Sequence, residues 1–386
     1  MAVRRSADEL FMKAALELAQ QGMGLASPNP CVGAIVVDEL GRIVGRGVHK
    51  YAERKHAEVI AIEAAGPLAR GNTLYLNLEP CCHTGRTGPC TEAIIAAGVG
   101  RVVAAMRDPN PAVAGKGFEQ LRAAGIDVVE GILEAEARKL NEAFARYIRT
   151  GVPFVTLKTA MSLDGRIALP PRGKAVTPST TYLIGVSALR QVHLLRHASD
   201  AIMVGIGTAL ADDPLLTDRS GLERRRPLLR VVLDSELRLP LDSRIVASAA
   251  NARDVVVFCC RAGDEAKRAL ESRGVRVEVV PALPSSAQPM AAGPTLDLHC
   301  VLKTLGEMHI TSVLLEGGAK VNGAFLRAGL VDKVWLFYAP KIFGSGVPLA
   351  SNADGSATEV TLLPDSTLHR YDEDFAVEGY LRDPYA

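Results

Sequence analysis

The stretch "EPCCHTGRTGPC", residues 79–90, sets three cysteines and a histidine close together, and "HAEVIAIEAA", residues 56–65, lies upstream of it. His56 and Glu58 open a segment of helical pattern. Cys81 follows a strand and the pair Glu79-Pro80. Cys90 follows Pro89 and opens the next helix. Zinc accepts imidazole nitrogen and thiolate, usually four ligands in a tetrahedron, and a site that does chemistry leaves one position for water. One His and two Cys supply three ligands and a nearly neutral Zn(II) centre. A thiolate at a helix N-terminus is favoured by the helix dipole and by the metal.

Cys81 and Cys82 are adjacent, so one metal takes one of them comfortably. The order H-x-E, P-C, P-C is that of zinc deaminases, where the Glu is a proton shuttle and no ligand. Here it reads His56-Ala57-Glu58, Pro80-Cys81 and Pro89-Cys90, which leaves Cys82 spare. The plainer reading is a structural zinc or a group of free thiols. If the site is catalytic, zinc lowers the pKa of its water toward about 7. The hydroxide attacks a ring carbon carrying an exocyclic amine. Glu58 takes the water proton and hands protons to the ring nitrogen and the departing amine. Ammonia leaves and a carbonyl remains.

Around this stretch the pattern alternates. A helix is expected over 6–22, with Ser6 and Glu9 as a capping box and Leu10, Ala14, Ala15 and Leu18 on one face. Strands follow at 32–37 and 41–49, then a helix at 56–65, a strand at 72–78, a helix ending at Gly98, a strand at 101–106 and two further helices, "KGFEQLRAAG" and "LEAEARKLNEAFARYIRT". Near residue 150 the pattern restarts. Strands are expected at 154–160, 201–205, 229–234, 254–259, 275–280, 311–316 and 333–339, with helices at 179–196, 263–273, 299–308 and 319–328. The proline-rich run 281–298 reads as a loop. This is an α/β pattern in two domains, 1–150 and 151–386, as a chain of 386 residues allows.

With 48% hydrophobic and 23% charged residues the composition is that of an ordinary globular enzyme. A net charge of +1 argues against a nucleic-acid footprint. No window offers roughly 18 consecutive apolar residues, so no membrane partner is expected. The N-terminal stretch has no apolar core behind Arg4 and Arg5 and does not read as an export signal. The expectation is a cytoplasmic protein. Its seven cysteines then point to metal or reactive roles before disulfides. Cys259 and Cys260 read as buried strand residues, and Cys300 opens a helix.

"SPNPCVGAIVV", "HAEVIAI", "LEPCCHTGRTGPC" and "RDPNPAVAGKG" together resemble the deaminase half of the bifunctional riboflavin-biosynthesis deaminase–reductases. The resemblance runs over nearly all of residues 6–150, and the lengthened Cys-x8-Cys loop with His83 and Arg86 inside it is characteristic. It implies a cytidine-deaminase-like fold, zinc on His56, Cys81 and Cys90, Glu58 as the catalytic group, and substrate contacts from Asn29 and His83. Family members often carry Ser at the position of Cys82.

The second half lacks the G-x-G-x-x-G fingerprint followed by a distant acid. It has "VGIGTALADDPLLTDR" and "LLEGGAKVNGAFL", where strands run into glycines and then helices. Alone these are weak. With "LKTAMSLDGRIA" and "RVVLDSELRLP" they resemble the reductase half of the same family over about 151–350, whose fold is like that of dihydrofolate reductase. The resemblance implies NADPH contacts at Met161, Tyr182, Thr208, Asp212, Ser235 and the loop and helix start Gly318, Ala319, Lys320, Val321, Asn322, Gly323 and Ala324. It implies substrate contacts at Lys158, Thr180, Arg196, Leu216, Arg219 and Glu316. Arg suits a ribose phosphate because its fork pairs two oxygens. Tyr182 and Thr180 stand where the family usually has Trp and Ser, so this segment departs from the pattern.

The expected function is hydrolytic deamination of 2,5-diamino-6-ribosylamino-4-pyrimidinone 5′-phosphate, then NADPH-dependent reduction of the ribosyl group to ribityl. The implied partner is that small pyrimidine ribose phosphate; a homo-oligomer through the reductase domain stays open. Two rivals are a single-function zinc deaminase with a weak reductase domain and a zinc-binding regulator built on a decayed enzyme.

Overall fold

The structure is a computed structural model that describes residues 2–84, 88–169, 183–283, 294–352, 355–356, 359–364 and 366–386. By packing, the chain divides into two compact units. One comprises Met1–Gly151 with Glu223–Arg226 and Tyr385; the other comprises Val152–Leu222, Pro227–Pro384 and Ala386.

The first unit is built on a five-stranded sheet. Its strands are β1 (Gly33–Val37), β2 (Ile43–Val48), β3 (Thr73–Leu76), β4 (Arg101–Ala104) and β5 (Asp127–Glu130), in the order β2-β1-β3-β4-β5. β1 runs antiparallel to β2 and β3, while β3, β4 and β5 are parallel. Strands buried on both faces read as unbroken apolar runs, as "GAIVV" of β1 does. The helix Ala57–Ala65 carries alanines at 57, 61 and 65, and β2 offers Gly45 and Gly47 opposite them. A Cβ on Gly47 would lie 2.0 Å from the Ala57 carbonyl oxygen, and one on Gly45 2.1 Å from that of Ala61. Small residues on both partners therefore let helix and strand backbones touch, which fixes where the helix N-terminus lies.

The second unit holds β6 (Phe154–Ser162), β7 (Arg166–Ala168), β8 (Ala201–Gly205), β9 (Leu229–Leu233), β10 (Val255–Cys259), β11 (Val275–Val279), β12 (Ser312–Leu315), β13 (Lys333–Ala339), β14 (Val347–Pro348), β15 (Thr367–Tyr371) and β16 (Asp374–Tyr380). Nine of them form one sheet in the order β11-β10-β9-β8-β12-β6-β13-β16-β15. The strands from β11 to β13 are parallel, and β16 and β15 close the edge antiparallel. In open parallel sheets, ligands bind beyond the carboxyl ends of the strands. Both expected cofactor loops sit there: Gly205 leads from β8 into the helix Ile206–Asp212, and Gly317-Gly318 lead from β12 into the helix Ala319–Arg327.

Several expectations are corrected. The first helix spans Ala2–Gln20, so Ser6 and Glu9 lie inside it and do not cap it. Its buried stripe is Met12, Ala15, Leu16 and Ala19, while Leu10 is 66% exposed. Asp8 sets this rotation: it is buried, receives two 2.8 Å hydrogen bonds from the Arg101 guanidinium and accepts one from the Tyr75 hydroxyl. The helix expected over 133–150 is two, Glu134–Leu140 and Glu142–Thr150, broken at Asn141. β5, β7 and β14 to β16 went unread; they are short, or half-exposed and mixed in composition. Cys259 is buried at the end of β10, but Cys260 lies past it and is half-buried. The helix expected from 179 begins at Val186, and residues 170–182 and 284–293 lie outside the described residues.

Candidate active sites

In the first unit, His56 is the N-cap residue of the helix Ala57–Ala65, and Cys90 is the first residue of the helix Cys90–Ala97 behind Pro89. Cys81 lies in the loop after β3. His56 Nδ1 is 3.0 Å from Cys90 Sγ and 3.4 Å from Cys81 Sγ, and the Cys90 backbone N–H donates to Cys81 Sγ at 3.3 Å. The three donor atoms lie within 4.8 Å of one another. A hydrogen bond from the Cys90 thiol, with His56 beside it, holds Cys81 down at about 4, while Cys90, the donor in that bond, is pushed up. One ready thiolate, one thiol and one imidazole within this span fit a zinc ion by number, type and spacing. Cys82 is half-buried beside them and is absent from the cluster.

Glu58 is buried, 4% exposed, and burial pushes its carboxyl up against the lowering pull of His56. Burial that favours the neutral carboxyl suits a general acid–base group, which must both take and give a proton. Asp108 is a second such group: burial, with the Glu79, Cys81 and Glu58 charges, raises it to about 7.

The loop that carries Asn29 is clamped by amides. Asn77 accepts from the Gly33 N–H and donates to the Cys31 carbonyl, both at 2.9 Å; Asn141 accepts from the Cys31 N–H at 2.8 Å and donates to the same carbonyl at 3.1 Å. Asn29 Nδ2 donates to His49 Nε2 at 3.0 Å, so the buried His49 keeps its proton on Nδ1, which donates to the Lys55 carbonyl at 2.9 Å. The His49 ring stands edge-on to His56, 5.4 Å away. Glu79 is buried and accepts from the backbone N–H groups of Asp108, Gly115 and Gly117 at 3.1, 2.8 and 2.9 Å, which folds "RDPNPAVAGKG" against the cysteine loop. Sequence reasoning missed His49, Asn77, Glu79, Asp108 and Asn141 as site-building residues. His49 ends "GRGVH" at a strand end just before His56, a signal that was present. His83 is exposed, and its loop neighbours 85–87 lie outside the described residues.

In the second unit, strand register explains a charge cluster. Leu157 of β6 pairs with Leu315 of β12, so Lys158 and Glu316, the next residues, meet. Lys158 Nζ is 3.6 Å from Glu316 Oε2, and the Arg196 guanidinium pairs with both Glu316 oxygens at 2.8 and 3.0 Å. Burial alone would raise Glu316, yet Lys158 and Arg196 hold it down at about 2. Arg196 also donates to the Thr217 carbonyl at 3.0 Å. Leu216 is buried with a φ of +54°, a left-handed conformation that an L-residue keeps only under constraint. Arg219 is exposed at the end of this loop.

Around Gly317-Gly318 the packing is close. A Cβ on Gly318 would sit 3.3 Å from Thr208 Oγ1, and one on Gly317 2.5 Å from Asn322 Oδ1. Asn322 is fully buried; its Nδ2 donates to the Leu349 carbonyl at 2.8 Å while its Oδ1 has no partner among the described residues. Ala319 and Gly323 are buried, Val321 and Ala324 half-buried and Lys320 exposed; Met161 is buried at the end of β6, and Ser235 is half-buried after β9. A glycine turn, a helix N-terminus and a hydroxyl fit a phosphate-bearing cofactor. Asp212 is exposed at the C-terminal end of the helix Ile206–Asp212. Thr180 and Tyr182 lie outside the described residues. No helix among the described residues is long and apolar enough to cross a membrane.

Residues 5–106 match the cytidine and deoxycytidylate deaminase zinc-binding region, and residues 153–377 match the RibD C-terminal domain. The riboflavin biosynthesis protein RibD of Aquifex aeolicus is 39% identical over 373 residues, covering 97% of this chain and 98% of its own length. That of Escherichia coli is 41% identical over 349 residues, covering 88% and 89%. Among solved structures, Acinetobacter baumannii RibD aligns at a TM-score of 0.80 and 36% identity over 97% of this chain and 99% of that one. A Thermotoga maritima diaminohydroxyphosphoribosylaminopyrimidine deaminase/5-amino-6-(5-phosphoribosylamino)uracil reductase aligns at 0.76 and 37%, over 98% and 99%. With a hydrolase's zinc-binding deaminase region followed by an oxidoreductase domain, the chain belongs to the RibD family of bifunctional riboflavin-biosynthesis enzymes.

Proposed function

We propose that residues 1–150 deaminate 2,5-diamino-6-ribosylamino-4-pyrimidinone 5′-phosphate and that residues 151–386 then reduce its ribosyl group to ribityl with NADPH. The observation that carries the first half is the His56, Cys81 and Cys90 cluster with a buried Glu58 two residues past the His N-cap. These three residues would hold a zinc ion, which would supply a water acidic enough to be a nucleophile near neutral pH. Glu58 would take one proton of the attacking water and deliver it to the ring nitrogen, then carry the second, from the hydroxyl now on the carbon, to the leaving amine, so ammonia departs and a carbonyl stays. Asn29, oriented by His49, contacts the pyrimidine, and His83 flanks it.

The second half rests on the cluster of Lys158 in the middle of β6, Glu316 just past β12 and Arg196 on the helix Val186–Ala198. Met161, Thr208, Asp212, Ser235 and the Gly318–Ala324 segment, with Thr180 and Tyr182 assigned by resemblance, would hold NADPH, which would supply a hydride for C1′ of the opened sugar. Arg196, Arg219 and the backbone at Leu216 hold the ribose phosphate. Glu316 holds Lys158 and Arg196 in place.

The purified protein is incubated with the diamino substrate, with and without NADPH, and products are weighed. Without NADPH the amine is exchanged for oxygen; with it two hydrogens are added. Glu58→Gln stops the first step, by about 10²–10⁴-fold, yet still reduces deaminated intermediate supplied to it. A Glu58→Gln protein that folds natively and deaminates within a few-fold of the parent removes Glu58 from the mechanism.

A further inference from the structure

The segment Pro214–Arg219 carries both Leu216 and Arg219, and its backbone is held from several directions. The buried Arg230 donates to the Leu215 carbonyl at 3.1 Å while paired to Asp254 at 3.1 and 2.6 Å. Arg196 donates to the Thr217 carbonyl at 3.0 Å. A third tie is of another kind. His197, on the helix Val186–Ala198 next to Arg196, places Nδ1 3.1 Å from Asp218 Oδ2, and the two side chains are 4% and 8% exposed. The other Asp218 oxygen accepts from the Ser220 N–H at 2.8 Å.

We propose that His197 and Asp218 form a positioning pair that sets Arg219 and the Leu216 backbone for the phosphate of the reductase substrate. Burying an imidazole and a carboxylate carries a desolvation cost. The first two ties grip main-chain carbonyls at Leu215 and Thr217. The His197–Asp218 tie grips the side chain of the residue directly before Arg219 and directly after Thr217. It therefore fixes the backbone rotation from which the exposed Arg219 projects. Leu216, held at a φ of +54°, relaxes unless the residues on both sides are pinned. Pinning on the C-terminal side comes from Arg196 at Thr217 and from His197 at Asp218. His197 touches no substrate in this reading; it acts through Asp218.

This inference rests on the proposed reductase reading, and its test separates the two. Steady-state reduction is measured with the deaminated intermediate and with its phosphate-free riboside for the parent, His197→Ala, His197→Asn and Asp218→Asn. In His197→Asn the new amide can stand in for the Nδ1–H donor, and in Asp218→Asn the amide oxygen keeps the Ser220 N–H while the amide N–H donates to His197 Nδ1, which accepts in its other tautomer. The expected result for His197→Ala is about a tenfold rise in KM for the phosphorylated intermediate, as loss of one well-oriented phosphate contact gives. Its kcat stays within about twofold and its KM for NADPH is unchanged. The two Asn variants return to within about threefold of the parent. With the phosphate-free riboside, His197→Ala and parent are alike. Equal KM in His197→Ala and parent, or an equal loss with both substrates, overturns the positioning role. Parent protein that oxidises no NADPH with the intermediate overturns the reductase reading instead. If His197→Ala does not fold, Asp218→Ala measured the same way gives the same decision.

Discussion

Substituting Gly47 by alanine tests how the zinc-site helix is placed. The added Cβ would lie 2.0 Å from the Ala57 carbonyl oxygen and 2.7 Å from the Ala61 nitrogen, both backbone atoms that cannot swing aside. Ordinary contact begins near 3.4 Å, so the helix must back away from β2 by about 1.4 Å. Overpacking of this kind costs about 1–3 kcal/mol, which for a unit of this size lowers Tm by roughly 2–12 °C. The chemical cost is larger. His56 and Glu58 ride on the first turn of that helix, while Cys81 and Cys90 do not. A displacement of about 1 Å in a catalytic constellation costs about 10²-fold, so deaminase kcat/KM should fall at least that far, with a lower zinc occupancy. Reductase activity on supplied intermediate should persist, since its groups lie in the other unit. Gly263→Ala is the control: its Cβ meets nothing within 4 Å and its φ is −67°. Deamination and zinc content are read by ammonia release and metal analysis, and Tm by calorimetry. Gly47→Ala with zinc, Tm and deaminase rate all equal to the Gly263→Ala control would refute the claim that this contact positions the site.

Metal analysis should find zinc retained in Cys82→Ser and lost in Cys81→Ser; the reverse outcome would reassign the ligands. Glu316→Gln should leave Lys158 and Arg196 without their counter-charge and destabilise the second unit at neutral pH by about 3–5 kcal/mol, the range for breaking a buried pair. Because the folded Glu316 carboxyl is held at about 2, below its ordinary 4.5, its stabilisation is full above pH 4.5 and is lost as pH falls through about 2. The parent and variant denaturation midpoints should therefore converge only in that acid window; convergence already at pH 6 would contradict the ion-pair account.

Much of this protein was legible in its residues alone, because the informative signals are local. The alternation of apolar runs with helical periods marks strands and helices, since each must bury a face. The cluster of His56, Cys81 and Cys90 was legible because zinc demands particular donor atoms and a helix N-terminus favours a thiolate, and Glu58 because it stands two residues past that His. Gly-rich turns after strands marked the loops proposed to hold the cofactor for the same kind of reason. Other features needed the tertiary structure because they depend on groups far apart in sequence. Asn77 and Asn141 look like ordinary polar residues until both are seen to clamp Cys31, one of them 110 residues away. The rotation of the first helix follows from Asp8 meeting Arg101, 93 residues on, which no periodicity can show. Glu316 owes its depressed pKa to strand register, which sets Lys158 beside it, and to Arg196 reaching over from the helix Val186–Ala198. Sequence carries the chemistry of each side chain and the period of each element; only the fold decides which charges are brought out of water together, and there the strength of each pairing is set.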